Sequence, residues 1–141
     1  MITTMLNVAI ALLLLVAATS LAFGLKYLFA KEYMPYHAAV AQSPWSQVPE
    51  RLQAVMLGML KIVSAGLLVF GLSLIWLTVP FSRGEDWATW AIMSITAVNG
   101  VITIYVTVAL RRLEPTAKTP IIPAAAGVVT VALALVLAGL A

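Results

Sequence analysis

Charged residues divide this sequence into four long uncharged stretches. They cover positions 1–25, 62–82, 87–110 and 119–141. Each stretch supplies the roughly 20 apolar residues that a helix needs to cross about 30 Å of hydrocarbon. Because the backbone finds no water to pair with in lipid, a single apolar run satisfies its own polar groups by forming a helix. The pattern predicts four transmembrane helices, at about 2–25, 49–80, 86–112 and 120–140.

The cations lie mainly in two of the three connections between these stretches. The first and third connections hold seven of them: Lys26, Lys31, Arg51, Lys61, Arg111, Arg112 and Lys118. The second connection holds only Arg83, beside Glu85 and Asp86. Because cytoplasmic loops carry the excess of lysine and arginine, we expect the first and third connections in the cytoplasm and both termini outside.

The first connection is long and has a composition of its own. Residues 26–48 contain three tyrosines, Trp45, the single histidine His37 and two prolines. Amphipathic rings favour the headgroup level, so we predict an interfacial segment here. The second helix is expected to begin near Pro49 and to extend at least two turns beyond the hydrocarbon. Residues 1–141 are thus predicted to form one all-α membrane domain, a polytopic four-transmembrane-helix bundle with an N-out/C-out orientation.

Composition removes several classes of function. Apolar residues make up 63% of the chain and charged residues 9%, against roughly 45 to 50% and about 25% in soluble domains, so lipid must be the main solvent. Cysteine is absent, which excludes disulfides and thiolate metal sites. The net charge of +3 is spread along the chain, which argues against a nucleic-acid partner. One histidine cannot supply the two axial ligands of a membrane cytochrome, and we expect no cofactor.

A cleaved signal peptide is an alternative interpretation of the first stretch. Ser20, Leu21 and Ala22 loosely resemble a small-residue cleavage site. However, no basic region precedes the apolar run, and cleavage would place four cations outside. We therefore interpret the first stretch as a membrane helix.

Prolines and small residues predict where helices end and where they approach one another. Pro80 is expected to stop the second helix. Thr119 is expected to cap the fourth helix, with Pro120 at its first position. The spacing of Ala54 and Gly58 matches a small-residue motif for packing between membrane helices.

The third stretch carries a polar stripe within the membrane. Its members share one helical face and are Thr89, Thr96, Asn99, Thr103 and Thr107, with Gly100 adjacent. An unpaired amide costs several kcal/mol in hydrocarbon, so Asn99 needs a partner. Hydrogen bonds between helices, helped by close approach at Gly100 and with Asn7 as an obvious partner, are one interpretation. The other is contact of Asn99 and Thr103 with a ligand or a partner protein.

A second group of candidates lies at the predicted cytoplasmic side. In a ligand site, three residues would attract an anionic head: Arg51, Gln53 and Lys61. An aromatic cover would be formed by Tyr33, Tyr36, His37 and Trp45. Simpler roles are also open. Lys61 directly precedes an uncharged stretch, so its stem can lie in lipid while its ammonium reaches the headgroups. A lone interfacial histidine is ordinarily a polar surface residue.

Two short segments resemble known proteins. The sequences KEYMPYH at 31–37 and LRRLEPTAKTP at 110–120 are similar to a group of uncharacterised small bacterial four-helix membrane proteins. This resemblance implies a multi-pass protein of the bacterial cytoplasmic (inner) membrane and implies no activity.

A topology-level resemblance links the chain to the MAPEG family of membrane glutathione-dependent enzymes. Those proteins have a similar length, four helices and a second helix that starts at a cytoplasmic site. The residues that carry the similarity are Glu50, Arg51, Gln53 and Ala54. The family continues with an asparagine and a glutamate within two turns, where this chain has Leu57, Gly58, Leu60 and Lys61. The resemblance therefore implies the topology and not a glutathione site.

Two hypotheses about function follow. In the first, the chain is a non-enzymatic bundle that acts through lipid or protein partners, as a homo-oligomer or with another membrane protein. A bundle this small has few internal positions, so its polar stripe would pair with groups outside the chain. In the alternative, it is a membrane enzyme or carrier for a lipophilic or amphipathic ligand, with a cytoplasmic-side site.

Overall fold

Each long apolar stretch of the chain forms one continuous helix. The computed structural model describes residues 2–141, so Met1 of the first predicted span lies outside it. The helices are α1 Ile2–Leu28, α2 Pro35–Ala41, α3 Glu50–Ser82, α4 Asp86–Leu113 and α5 Ile121–Gly139, with a 3-10 turn at Trp45–Gln47. Four of them, α1, α3, α4 and α5, are long and apolar enough to cross a membrane. The predicted all-α fold with four such helices is confirmed.

The four long helices pack in an antiparallel ring. Helix α1 packs against α3 and α5, and α4 packs against α5 and α3. The α1–α3 interface is the most extensive and the α3–α4 interface the least. We call the end that carries residues 29–49 and 114–120 the loop end, and the end that carries residues 83–85 the turn end.

Buried side chains form two clusters at different depths. The larger cluster, toward the turn end, joins all four long helices: Ala9, Leu13, Val16, Ala17, Leu74, Phe81, Ala88, Ile92, Val131 and Ala134. The smaller cluster, at the loop end, contains Tyr27, Met34 and Leu60. Many large apolar side chains outside these clusters lie on the outer surface of the bundle and are exposed, as expected where lipid is the solvent.

Two glycines set the distance between α1 and α3. A methyl group on Gly71 would lie 2.9 Å from the carbonyl oxygen of Ala17, and one on Gly24 would lie 2.8 Å from Leu68 Cδ2. The close approach lets hydroxyl groups bond across the interface. Ser64 Oγ donates to the Gly24 carbonyl over 2.7 Å, and Ser20 Oγ to the Leu67 carbonyl over 2.8 Å.

Ala54 and Gly58, the predicted packing motif, do not pack against another helix of the bundle. Both residues are exposed, and a Cβ on Gly58 would meet nothing within 4 Å. The register explains this difference. Helices α1 and α3 are antiparallel, and Gly24 lies opposite Ser64. Residues 54–58 of α3 therefore extend beyond Leu28, where α1 has already ended. Small residues promote packing only where a second helix lies opposite.

The helix ends differ from expectation at two prolines. Pro80 lies inside α3, which continues to Ser82 before Gly84 turns the chain at φ 74°. Thr119 does not cap α5, because the helix begins at Ile121 and the Thr119 hydroxyl is buried without a hydrogen-bond partner. The Ile121 N–H donates to the Thr119 carbonyl over 2.9 Å, which closes a three-residue turn and keeps Pro120 outside the helix.

Substitution at Gly71 tests the α1–α3 interface. The Gly71→Ala change places a methyl group against backbone, so we expect the free energy of unfolding in detergent to fall by about 1 to 3 kcal/mol. The matched control is Gly58→Ala, which we expect to be neutral or to stabilise by about 0.5 to 1 kcal/mol because alanine favours helix. Equal unfolding curves for the two variants would contradict the close approach described above.

Candidate functional site

The seam between α3 and α4 is open on the lipid-facing side of the bundle. A groove of about 410 Å³ runs along it. Its lining residues are Gly66, Val69, Phe70 and Ser73 from α3 and Ser94, Ile95, Val98, Asn99 and Ile102 from α4. The seam is open because three of these positions carry small residues, and a Cβ on Gly66 would meet nothing within 4 Å. We call this feature the α3–α4 groove.

Asn99 lies in the middle of α4. The helix runs from Asp86 to Leu113, which places Asn99 about 20 Å from either end at 1.5 Å per residue. Its side chain is half-buried and lines the groove. This amide therefore lies at the depth where water is least available.

Two hydroxyl groups of α4 are satisfied within their own helix. Ser94 Oγ donates to the Trp90 carbonyl over 2.7 Å, and Thr107 Oγ1 to the Thr103 carbonyl over 2.8 Å. Serine and threonine commonly bond to the preceding turn in this way. The Asn99 amide forms no such bond within residues 2–141. The predicted partner Asn7 is exposed on α1, on the opposite side of the ring, so that pairing is wrong.

The rest of the polar stripe faces the interior or its edge. Thr96, Gly100 and Thr107 are buried, while Thr103 is half-buried and contributes only its carbonyl to a side-chain bond. Gly100 is a close approach, because a Cβ there would lie 2.5 Å from Val128 Cγ2 of α5. Asn99 thus lies at the edge of a stripe whose other side packs against α5.

The loop end is covered by a folded segment, residues 29–49, which we call the loop-end cap. Tyr33 is central to it: its hydroxyl donates to the Ser43 carbonyl, and its ring meets the Trp45 ring edge-on at 4.8 Å between centroids. Tyr36 joins the cap to α1, since its hydroxyl lies 3.1 Å from that of Tyr27. The hydroxyls of Tyr33 and Tyr36 therefore both have hydrogen-bond partners, one within the cap and one on α1.

His37 is wedged among these rings. Its imidazole centroid lies 4.1 Å from the Tyr36 ring and 6.4 Å from the Tyr33 ring. Burial lowers the pKa of His37 below its ordinary value, because a charged imidazolium loses hydration there. Burial and the bond to Tyr27 raise the pKa of Tyr36. In both cases burial favours the neutral form of the side chain.

The predicted anion-attracting set does not converge. Gln53 Nε2 donates to the Trp45 carbonyl over 2.9 Å and to the Val48 carbonyl over 3.0 Å, so its amide holds the cap against α3. Arg51 and Lys61 are exposed and lie roughly 15 Å apart along the helix axis. Arg51 and Gln53 are two residues apart, about 200° around a helix, and point to opposite sides.

Two features of the site could not be read directly from the motifs. Glu114 ties the α4–α5 connection together, accepting bonds from Thr116 N at 3.0 Å and Thr116 Oγ1 at 2.5 Å. These bonds lower the pKa of Glu114, and a bond from Gln42 at the end of α2 adds to the effect.

The second feature is the α3 wall of the groove. Gly66 and Ser73 are seven residues apart, a spacing that places both on one helical face. This spacing is the signal in the sequence from which the wall could have been predicted.

Comparison of the chain with protein-family models, with characterised proteins and with solved structures finds no match. Within residues 2–141, no group of three or more histidine, aspartate and glutamate side chains is arranged to hold a metal ion. Of the candidates from the sequence, the structure places Tyr36 and His37 together in the cap with Gln53 at its base. It places Asn99 in the groove, and it leaves Arg51 and Lys61 apart.

The position of His37 predicts a pH-dependent cap. In the folded cap the pKa of His37 lies below the ordinary value near 6.5. A cap that has separated from the bundle therefore binds a proton more readily than a cap packed (docked) on it. Docking is therefore fully stable above about pH 6.5 and weakens as the pH falls toward the lowered value. We expect hydrogen-exchange protection of residues 35–47 to decrease over this range. In His37→Phe, which keeps a ring and loses the titration, protection that still falls with pH would refute the assignment.

A pair of hydroxyl deletions tests the interior. Thr96 Oγ1 is buried without a hydrogen-bond partner, so Thr96→Val should leave the free energy of unfolding unchanged or raise it. Ser64 Oγ bonds across the α1–α3 interface, so Ser64→Ala should lower it by about 0.5 to 1.5 kcal/mol. Thermal unfolding in one detergent measures both variants. A larger loss in Thr96→Val than in Ser64→Ala would show that the Thr96 hydroxyl has a partner.

Proposed function

We propose that this chain is a non-enzymatic helical bundle of the bacterial inner membrane that acts by binding a membrane protein partner in the α3–α4 groove. One observation carries the proposal: the Asn99 amide lies in an open groove at mid-membrane depth, with no hydrogen-bond partner in residues 2–141. Leaving that amide unpaired in hydrocarbon costs several kcal/mol. An occupant that pairs with it removes that cost.

A protein suits the groove better than a lipid chain does. Acyl chains carry no hydrogen-bonding group at this depth, so lipid in the groove leaves the amide unpaired. A partner helix brings polar side chains and backbone to the same level. Gly66, Ser73 and Ser94 are small, which lets another helix come close enough for good van der Waals contact.

The orientation with both termini outside is part of this proposal. It is supported by the seven cations in the first and third connections, which favour a cytoplasmic location for the loop end. Three exposed tryptophans toward the turn end suit the opposite headgroup level: Trp76, Trp87 and Trp90. The loop-end cap would then lie at the cytoplasmic interface, as its aromatic composition favours.

The geometry gives less support to an enzyme or carrier with a cytoplasmic-side ligand site. That hypothesis needs Arg51, Gln53 and Lys61 to act on one anionic head. The amide of Gln53 is already bonded to the cap, and the two cations are far apart. This ligand-site hypothesis still supplies a comparison for the experiment, because it predicts a different effect of changing Arg51 and Lys61.

Native mass spectrometry of the protein released from its own membrane tests the proposal. We expect a complex with a protein chain, lost by about tenfold or more in Asn99→Leu. The matched control is Asn7→Leu, which removes an exposed amide from α1 and should keep the complex. The double variant Arg51→Ala with Lys61→Ala should also keep it.

Two outcomes would count against this function. A monomer with no protein bound, identical in Asn99→Leu and wild type, would contradict the groove as a partner site. A small-molecule adduct that disappears only in the Arg51 and Lys61 double variant would favour the ligand-site hypothesis instead.

A further inference from the structure

We propose that the occupant of the α3–α4 groove is a second copy of this chain, bound in the same membrane orientation about a two-fold axis along the membrane normal. This inference rests on the proposed function and names its partner. It is carried by the chemistry and depth of Asn99, by the shape of α4 beside it, and by a second polar group on the exposed side of α4.

The depth of Asn99 makes a second copy a fitting partner. The amide requires a hydrogen-bonding group near the middle of the membrane. Rotation about the membrane normal leaves depth unchanged, so a second copy presents its own Asn99 at the same level. For any other partner, symmetry does not fix a polar group at this depth.

The chemistry of the amide is self-complementary. The Asn99 side chain offers a carbonyl acceptor and an NH₂ donor. Two such amides can therefore satisfy each other across a two-fold axis, the donor of each facing the acceptor of the other. Interfaces of this symmetry use the same patch on both copies, which suits a residue that is its own complement.

The shape of α4 also suits a reciprocal contact. Val98 and Ile102 are one turn apart and form an exposed ridge that borders the groove, at 63% and 57% exposed. In a symmetric pair, the ridge of each copy can enter the groove of the other. Packing of a ridge into a groove is the usual geometry between helices, and the absence of a side chain at Gly66 leaves the space for it.

A second polar group lies on the same exposed side of α4. Tyr105 is 73% exposed, and it lies about 12 Å from the loop end of α4, within the membrane-spanning part of the helix. It lines a further shallow depression of about 360 Å³ with Val101, Ile104, Val108, Ala109 and Arg112. A second copy packed along α4 would give this hydroxyl a protein surface in place of lipid.

Single-cysteine crosslinking in membrane vesicles tests this pairing, because the chain contains no cysteine of its own. The reporter is Val98→Cys on the ridge. The matched control is Val129→Cys on α5, which is exposed to a similar extent, 66% against 63%, and lies close to the depth of Asn99, since Gly100 lies beside Val128. A membrane-permeant oxidant should join Val98→Cys chains into a dimer of twice the 15.0 kDa monomer, and should leave Val129→Cys monomeric.

Two further changes, each combined with Val98→Cys, identify the contact. Asn99→Leu should reduce the dimer about tenfold, and Asn99→Gln, which keeps an amide, should retain more of it. Gly66→Leu should also reduce the dimer, because it fills the groove from a position with open space and so leaves the bundle itself undisturbed. This second route keeps the test informative if Asn99→Leu lowers the amount of folded protein.

The outcomes separate this inference from the function on which it rests. A Val98→Cys adduct to a protein of another size, with no dimer, would overturn the second copy while leaving the groove as a partner site. Equal dimer yields from Val98→Cys and Val129→Cys would show random collision and overturn the pairing. A Val98→Cys chain that joins no protein would overturn both.

Discussion

The structure depends on one constraint: polar groups in the hydrocarbon of a membrane have no water with which to bond. The backbone meets this constraint by forming four long helices, and several hydroxyl groups, such as those of Ser64 and Ser94, meet it through carbonyls of their own or neighbouring helices. The buried Thr96 hydroxyl also lacks a partner, but Asn99 is the residue whose unpaired group faces outward, into the groove. It lies at the middle of α4, beside the least extensive of the four interfaces in the ring of long helices. The proposed function and the proposed pairing both follow from this unpaired amide, because an occupant of the groove can reach it.

The two ends of the bundle are built differently. Toward the turn end, aliphatic side chains from all four long helices form the main core. At the loop end, the connection folds back as an aromatic cap in which Tyr33, Tyr36 and His37 pack on one another and Gln53 anchors the turn to α3. The tight α1–α3 pair, set by Gly24 and Gly71, supports this cap. The closely packed side of the molecule is thus α1 with α3, and the open side is α3 with α4.

The sequence predicts the helices well because charges are nearly absent from the spans, and each gap between charges has the length that a membrane crossing needs. It predicts packing poorly because a small residue does not reveal what lies opposite. Ala54 and Gly58 have the right spacing and face no helix, whereas Gly71 contacts the backbone of α1. Similarly, Thr119 has the right residue type for a cap, but a local turn at Pro120 excludes it from the helix. Asn99 was identifiable as a polar residue in need of a partner. Its position at an open seam depends on the rotation of α4 against α3, which no local pattern specifies.

The central claim is that protein, and not lipid, occupies the α3–α4 groove in the native membrane. The most direct test replaces Ile102, which lines the groove, with a photoreactive side chain, irradiates intact cells and identifies the adducts by mass. The account predicts that most adducts at this position are protein, while the same side chain at Val129 on α5 reacts mainly with lipid. Lipid adducts in equal proportion at both positions would contradict it.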